Sequence, residues 1–223
     1  MKKLAFSDIR YWIASFILGL MAISAPIVRA TEPAQALDFE THAAFFSKET
    51  KQKTALDPQV FVKESSAVAA VGPQGIRHVA GLRNALVSDD ASLPLFNAEG
   101  RSLNMSLGQW LAPKGQAVLS PLPTGAERIT VAFSRLKPGG HYSLFENHFD
   151  QKPVGFTPLD AKGTENSFVA DSNGRGVATV IAPSALTHDN AVLLVYHSDN
   201  MAHGKSRGDI GVNAHHQLIA RPK

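Results

Sequence analysis

From Ile76 onward the apolar residues of this chain come in short runs between turn residues, and no stretch holds helical spacing for a useful length. The strongest run is Ala191 to Tyr196, a continuous segment of Ala, Val, Leu and Tyr, short enough for a strand and too short for a typical helix. Ile129, Val131 and Phe133 alternate with Thr130, Ala132 and Ser134. Leu103, Met105 and Leu107 alternate in the same way with Asn104, Ser106 and Gly108, which predicts one buried and one wet face. Val79 to Val87, Leu93 to Phe96, Ala117 to Leu119, His141 to Phe145, Ser167 to Ala170, Gly176 to Ile181 and His216 to Ala220 read as further extended segments. About eight or nine of these segments are expected as short strands with turn chemistry between them, the pattern of a sandwich or barrel.

The expected fold is therefore all-β, a single antiparallel β-sandwich of Ig-like or jelly-roll type over residues 76–223. Leu193, Val195, Val131, Phe133 and Leu107 are expected in one core. Asn173-Gly174 is predicted to close a hairpin between its two flanking runs, because both residues tolerate positive φ. Trp110 falls on the opposite parity from Leu107, which predicts packing under a loop or over a sheet edge.

The first part of the chain reads differently. Lys2, Lys3 and Arg10 precede an apolar run from Trp12 to Val28, followed by small residues that offer cleavage after Ala30 or after Ala36. Residues 1–30 are expected to be a signal peptide, with an uncleaved anchor as the alternative. Residues 31–75 fit neither period cleanly and read as a partly irregular lead-in.

The signal also decides the charge. The 223-residue chain has 22 basic and 19 acidic residues. Lys2, Lys3, Arg10, Arg29 and Asp8 lie within residues 1–30, so residues 31–223 carry 18 of each sign and no net charge. An exported domain without net charge has little electrostatic claim on nucleic acid or on an anionic membrane. The chain has no cysteine, which excludes disulfides, thiolate ligands and c-type haem attachment. A periplasmic or secreted location follows from the signal, and stability must then come from packing alone.

Directly after the strongest run, His197, Asp199, Met201 and His203 follow at alternate positions, all potential metal donors. Imidazole with thioether suits copper, and imidazole alone also suits zinc. Alternate residues of an extended strand lie ~7 Å apart, so His197 and His203 can share an ion only if the chain turns between them. Asn200 and Gly204 permit such a turn. A further donor would come from another loop, with His141, His148, His215 and His216 available. His215 and His216 are adjacent in a strand and must point to opposite faces. The candidate metal residues are thus His197, Met201, His203, His141, His148 and His216, with copper or zinc as the ion. A calcium alternative would use Asp199, Asn200, Asp209 and Asn213, without the dense acidic pattern that such loops carry.

Several chemistries find no support. A blue-copper centre needs a Cys ligand, and no His-x-His pair with a disulfide is present. No phosphate-binding loop and no Gly-x-Ser-x-Gly elbow occurs. The leading reading is an exported binding or interaction module for a protein or small ligand. The alternatives are a transition-metal-binding protein and, last, an exported enzyme.

Overall fold

A computed structural model describes residues 33–223. The expected signal over residues 1–30 lies outside the described residues. The described chain opens with β1 (Gln35–Asp38), β2 (Glu40–Thr41), helix α1 (His42–Glu49) and β3 (Leu56–Lys63). The short strands β4 (Ala70–Val71) and β5 (Arg77–His78) come next, then β6 (Leu82–Leu86), β7 (Pro94–Phe96), β8 (Ser102–Ser106) and helix α2 (Leu107–Leu111). The longer strands are β9 (Lys114–Pro121), β10 (Glu127–Ser134) and β11 (His141–His148), followed by β12 (Gly155–Pro158) and β13 (Ser167–Val169). β14 (Gly176–Ala182), β15 (Asn190–His197) and β16 (Ala214–Ala220) close the chain. Strand residues outnumber helical ones 45% to 7%, which puts the fold in the all-β class.

The strands form several antiparallel sheets. The first runs β1-β9-β10-β14, the second β12-β11-β15-β16-β2 with β13 also on β11, and the third β6-β3-β7-β8. β4 and β5 pair separately. Strand β10 shows why these residues make strands: Ile129, Val131 and Phe133 are buried while Arg128, Ala132 and Ser134 face out, the period of a pleated ribbon with one dry face. One apolar cluster draws Leu119, Val131 and Phe133 from the first sheet, Leu144, Leu194 and Leu218 from the second, and Val62, Leu95 and Met105 from the third.

Strand β15 corrects the expected core. It is buried on both faces. Val192, Leu194 and Tyr196 join the main cluster with Val131, Phe133 and Leu107. Leu193 and Val195 point the other way and join Phe145, Ala214, Ile219 and Phe45 of α1 in a second cluster. Adjacent residues of a strand face opposite sides, so a strand with two dry faces must feed two cores.

The Asn173-Gly174 turn exists, but it is not a hairpin. β13 pairs with β11 and β14 pairs with β10, so the turn carries the chain from one sheet to another. Gly174 has φ +68°, and Asp171 Oδ1 accepts hydrogen bonds from the backbone N–H groups of Asn173 and Arg175, both at 2.8 Å.

The expected lead-in meets a different arrangement from residue 33 on. β1 pairs with β9, β2 pairs with β16, and β3 is central in the third sheet. β1, β2 and β3 therefore share sheets with strands from beyond residue 75. The helix α1 starts at a Thr41 cap whose hydroxyl accepts from the Ala44 N–H at 3.3 Å. Trp110 sits in α2. Ser106 and Gln109 form a capping box that stops the alternation of β8 and starts a helical turn, and this buries Leu107 and Trp110 three residues apart. Among the described residues no helix is long and apolar enough to cross a membrane.

Candidate metal centre

The site begins where β15 runs out of apolar residues. His197 ends the strand fully buried. The chain then reverses: Asn200 adopts φ +60°, a left-handed conformation that Asn tolerates better than most residues, and its N–H donates to the His197 carbonyl at 3.3 Å. The Met201 N–H donates to Asp199 Oδ1 at 3.2 Å, which tightens the turn. His203 is thereby folded back beside Asp199, with its Nε2 3.0 Å from Asp199 Oδ2. The rings of His197 and His203 lie with centroids 5.1 Å apart.

One ligand atom from each of His197, Asp199 and His203 lies within 4.8 Å of the other two. Tetrahedral ligands at ~2.1 Å from an ion are separated by ~3.4 Å, so the three groups need to close by at most ~1.4 Å to share one. This is the turn that the sequence permitted without requiring.

The electrostatics favour a neutral imidazole at the buried position. Burial, the neighbouring His203 and His141 push the His197 pKa down to about 4, against a smaller upward pull from Asp199. His197 Nε2 lies 2.8 Å from Ser143 Oγ. Donation from Nε2–H to that hydroxyl leaves the lone pair on Nδ1, which is buried and has no hydrogen-bond partner. A metal ligand needs a free lone pair of this kind, and an outer hydrogen bond from its other nitrogen fixes the tautomer.

The other candidates are placed as follows. His141 stands directly opposite His197 in the β11–β15 register, and its charge is felt at His197. Met201 is 57% exposed and lines a shallow surface depression with His141, Phe168 and Val169. His148 is at the other end of β11, about 23 Å along an extended strand from His141. There its Nε2 meets Thr157 Oγ1 at 2.8 Å. The structure therefore does not bring His148 to His197.

His216 lies against Arg207, whose Nη1 is 3.1 Å from His216 Nε2, and edge-on to His42. A guanidinium beside that nitrogen opposes a cation there. His215 has both nitrogens engaged, Nδ1 with the Gln59 carbonyl and Nε2 with Ser198 Oγ, each at 3.2 Å. Of the calcium set, Asn213 Oδ1 accepts from the Asp209 N–H at 2.7 Å, and Asp209 is not among the residues that converge with Asp199.

Asp199 is the member that sequence reasoning undervalued. It stood among the donors and in the calcium set, but its alliance with His203 depends on the backbone reversal at Asn200. The chain finds no match among protein-family models, curated proteins or solved structures.

Proposed function

We propose that this is an exported β-sandwich protein that binds a divalent transition-metal ion, Zn(II) or Cu(II), through His197, Asp199 and His203. The observation that carries the reading is the convergence of those three side chains, one a buried imidazole with an unpartnered nitrogen. Two imidazoles and a carboxylate form a borderline-to-hard donor set, which suits Zn(II) and Cu(II) better than Cu(I). His141, opposite His197 in the strand register, is our candidate for a further ligand. The broader reading as a binding module thus narrows to a metal.

The sandwich reading rests on the shared cluster of the first and second sheets. Export rests on the signal pattern of residues 1–30 and implies a periplasmic or secreted protein. Cleavage after Ala30 fits better than cleavage after Ala36. The later cut would remove Gln35 and Ala36, half of the β1 strand that pairs with Leu119 and Val118. Mass spectrometry of the exported protein should give a start at Thr31, and an intact N-terminus held in the membrane would reject the export reading.

Calorimetric titration of tag-free protein with Zn(II), Cu(II) and Cu(I) tests the metal site. One equivalent of Zn(II) or Cu(II) should bind, with Cu(I) weaker. His197→Ala and His203→Ala should each abolish tight binding, while His148→Ala should leave it intact. If the parent binds no tighter than a variant carrying both His197→Ala and His203→Ala, the metal reading is wrong.

A further inference from the structure

Strand β16 carries one residue more than its partner over a short interval. Leu194 pairs with Leu218 and Val195 pairs with His216, so Gln217 has no residue opposite it. A bulge of this kind re-aims a side chain, and bulges gather beside functional sites. Here the Gln217 side chain reaches α2, where its Nε2 donates to the Trp110 carbonyl at 2.9 Å. That carbonyl can only accept, so the amide orientation is fixed by chemistry. Gln217 Oε1 is left without a partner, on a residue only 2% exposed. Burying an amide oxygen without a donor costs free energy.

Gln217 lines a cavity of about 450 Å³ together with Met105, Gln109, Arg135, Leu136 and Lys137. That volume lies within the range of small-molecule sites. The lining holds two cations and no carboxylate. Lys137 Nζ donates to the Leu103 carbonyl and to the Tyr196 hydroxyl, each at 2.9 Å. Both partners are neutral, and an ammonium has a third N–H to give. Arg135 makes no ion pair among the described residues. The backbone adds a further sign: Arg135 at φ +60° and Asn104 at φ +52° both line this cavity in the left-handed region. Side-chain-bearing residues rarely adopt it, and such strain collects at binding sites.

We propose that this cavity binds a small organic carboxylate that also carries a hydroxyl or amine donor. The carboxylate sits between Arg135 and Lys137, where two unneutralised cations await an anion. The apolar body lies on Met105 and Leu136. The donor at the far end satisfies Gln217 Oε1. This site shares no residue with the metal centre and stands or falls separately from it.

The test uses the full chain and three probes: 4-hydroxybenzoate, benzoate and 4-hydroxybenzyl alcohol, each titrated by calorimetry. 4-Hydroxybenzoate should saturate one site, benzoate should bind more weakly, and the alcohol, which lacks the anion, should not bind. Arg135→Gly removes the guanidinium while accepting the same backbone conformation, and it should weaken 4-hydroxybenzoate by about tenfold or more, the scale of one lost charge-assisted contact. Gln217→Met keeps the bulk and removes the acceptor, together with the donor to the Trp110 carbonyl. It should erase the preference for 4-hydroxybenzoate over benzoate while leaving benzoate itself unchanged. His197→Ala should alter none of these affinities. Lack of saturation by both carboxylates, or equal affinity in Arg135→Gly, would overturn the proposal.

Discussion

The indole Nε1 of Trp110 donates a 2.8 Å hydrogen bond to Oδ2 of Asp57, a buried carboxylate on a different element of the third-sheet region. Asp57 Oδ1 accepts the backbone N–H groups of Gln59 at 2.8 Å and Val60 at 3.1 Å. The carboxylate therefore ties α2 to the start of β3. Burial pushes the Asp57 pKa up to about 6, and the three donors oppose that rise.

Trp110→Phe should cost ~1.5–3 kcal/mol for the lost bond to a charged group. The pH dependence follows from the sign of the shift. Native Asp57 holds its proton more tightly than the unfolded chain, so this group's contribution is full below pH ~4 and is lost as pH rises through about 6. Losing one donor raises the native pKa further. Urea unfolding should show a larger deficit for the variant at pH 8 than at pH 5, and equal deficits would show that the bond does not stabilise the ionised form.

The two faces of β15 make a second prediction. Leu193→Ala should cost ~2–5 kcal/mol, the range for a large-to-small change in a packed core. Its cluster excludes Val131. The double change Leu193→Ala with Val131→Ala should equal the sum of the singles to within ~0.5 kcal/mol. Leu193→Ala combined with Phe45→Ala, in one cluster, should depart from additivity. Strong coupling between Leu193 and Val131 in denaturant melts would return them to a single core.

The strands that read clearly from the sequence are those whose pattern is decided within one segment. Ile129, Val131 and Phe133 alternate because one face of β10 is wet. The continuous run of β15 also marked a strand, but the same continuity concealed the second core, since a run without polar residues carries no information about which face meets which partner. Strands as short as β2 and β4, two residues each, exist only through their partners and have no periodicity to read. The metal site was half legible for a related reason. His197 and His203 were visible as donors, but their meeting depends on Asn200 at φ +60°, which Asn allows without dictating. The cavity at Gln217 left no trace, because a bulge is a property of the β15–β16 register rather than of either strand.

Gly174 should be intolerant of any side chain. At φ +68° an L-residue is strained, and a Cβ there would collide with the Leu136 carbonyl oxygen. The same contact region holds the 2.9 Å bond from the Leu136 N–H to the Gly174 carbonyl, so the turn cannot retreat without losing it. Gly174→Ala should cost more than the ~1–2 kcal/mol of left-handed strain alone. Gly139, at φ +68° with nothing near its Cβ position, is the control and should show the strain term only. Equal losses at the two sites in thermal melts would remove the steric part of the argument.

His42 and His216 predict a loss of stability in mild acid. Their rings meet edge-on with centroids 4.9 Å apart, and each has an unpartnered buried Nδ1. Arg207 faces both rings, and His215 adds to the field at His216. Burial first, and then these neighbours, lower the His42 pKa to about 3 and that of His216 well below its usual value. Both stay neutral in the native protein, while the unfolded chain takes up protons below pH ~6.5. Stability from this pair is therefore fully present above pH ~6.5 and is lost as pH falls toward the native values, with a slope of up to ~1.4 kcal/mol per pH unit for each group. Asp57, Glu127 and Glu146, whose carboxyl pKa values are raised by burial, act in the opposite sense, but His197 and His215, each lowered to about 4, and the lowered carboxyls of Asp89 and Asp160 add to the loss. Urea midpoints should thus fall from pH 6.5 to pH 4.5, and His42→Phe should flatten that fall even where it lowers the midpoint at pH 7. A variant with the parent's full acid slope would show that His42 does not stay neutral in the native protein.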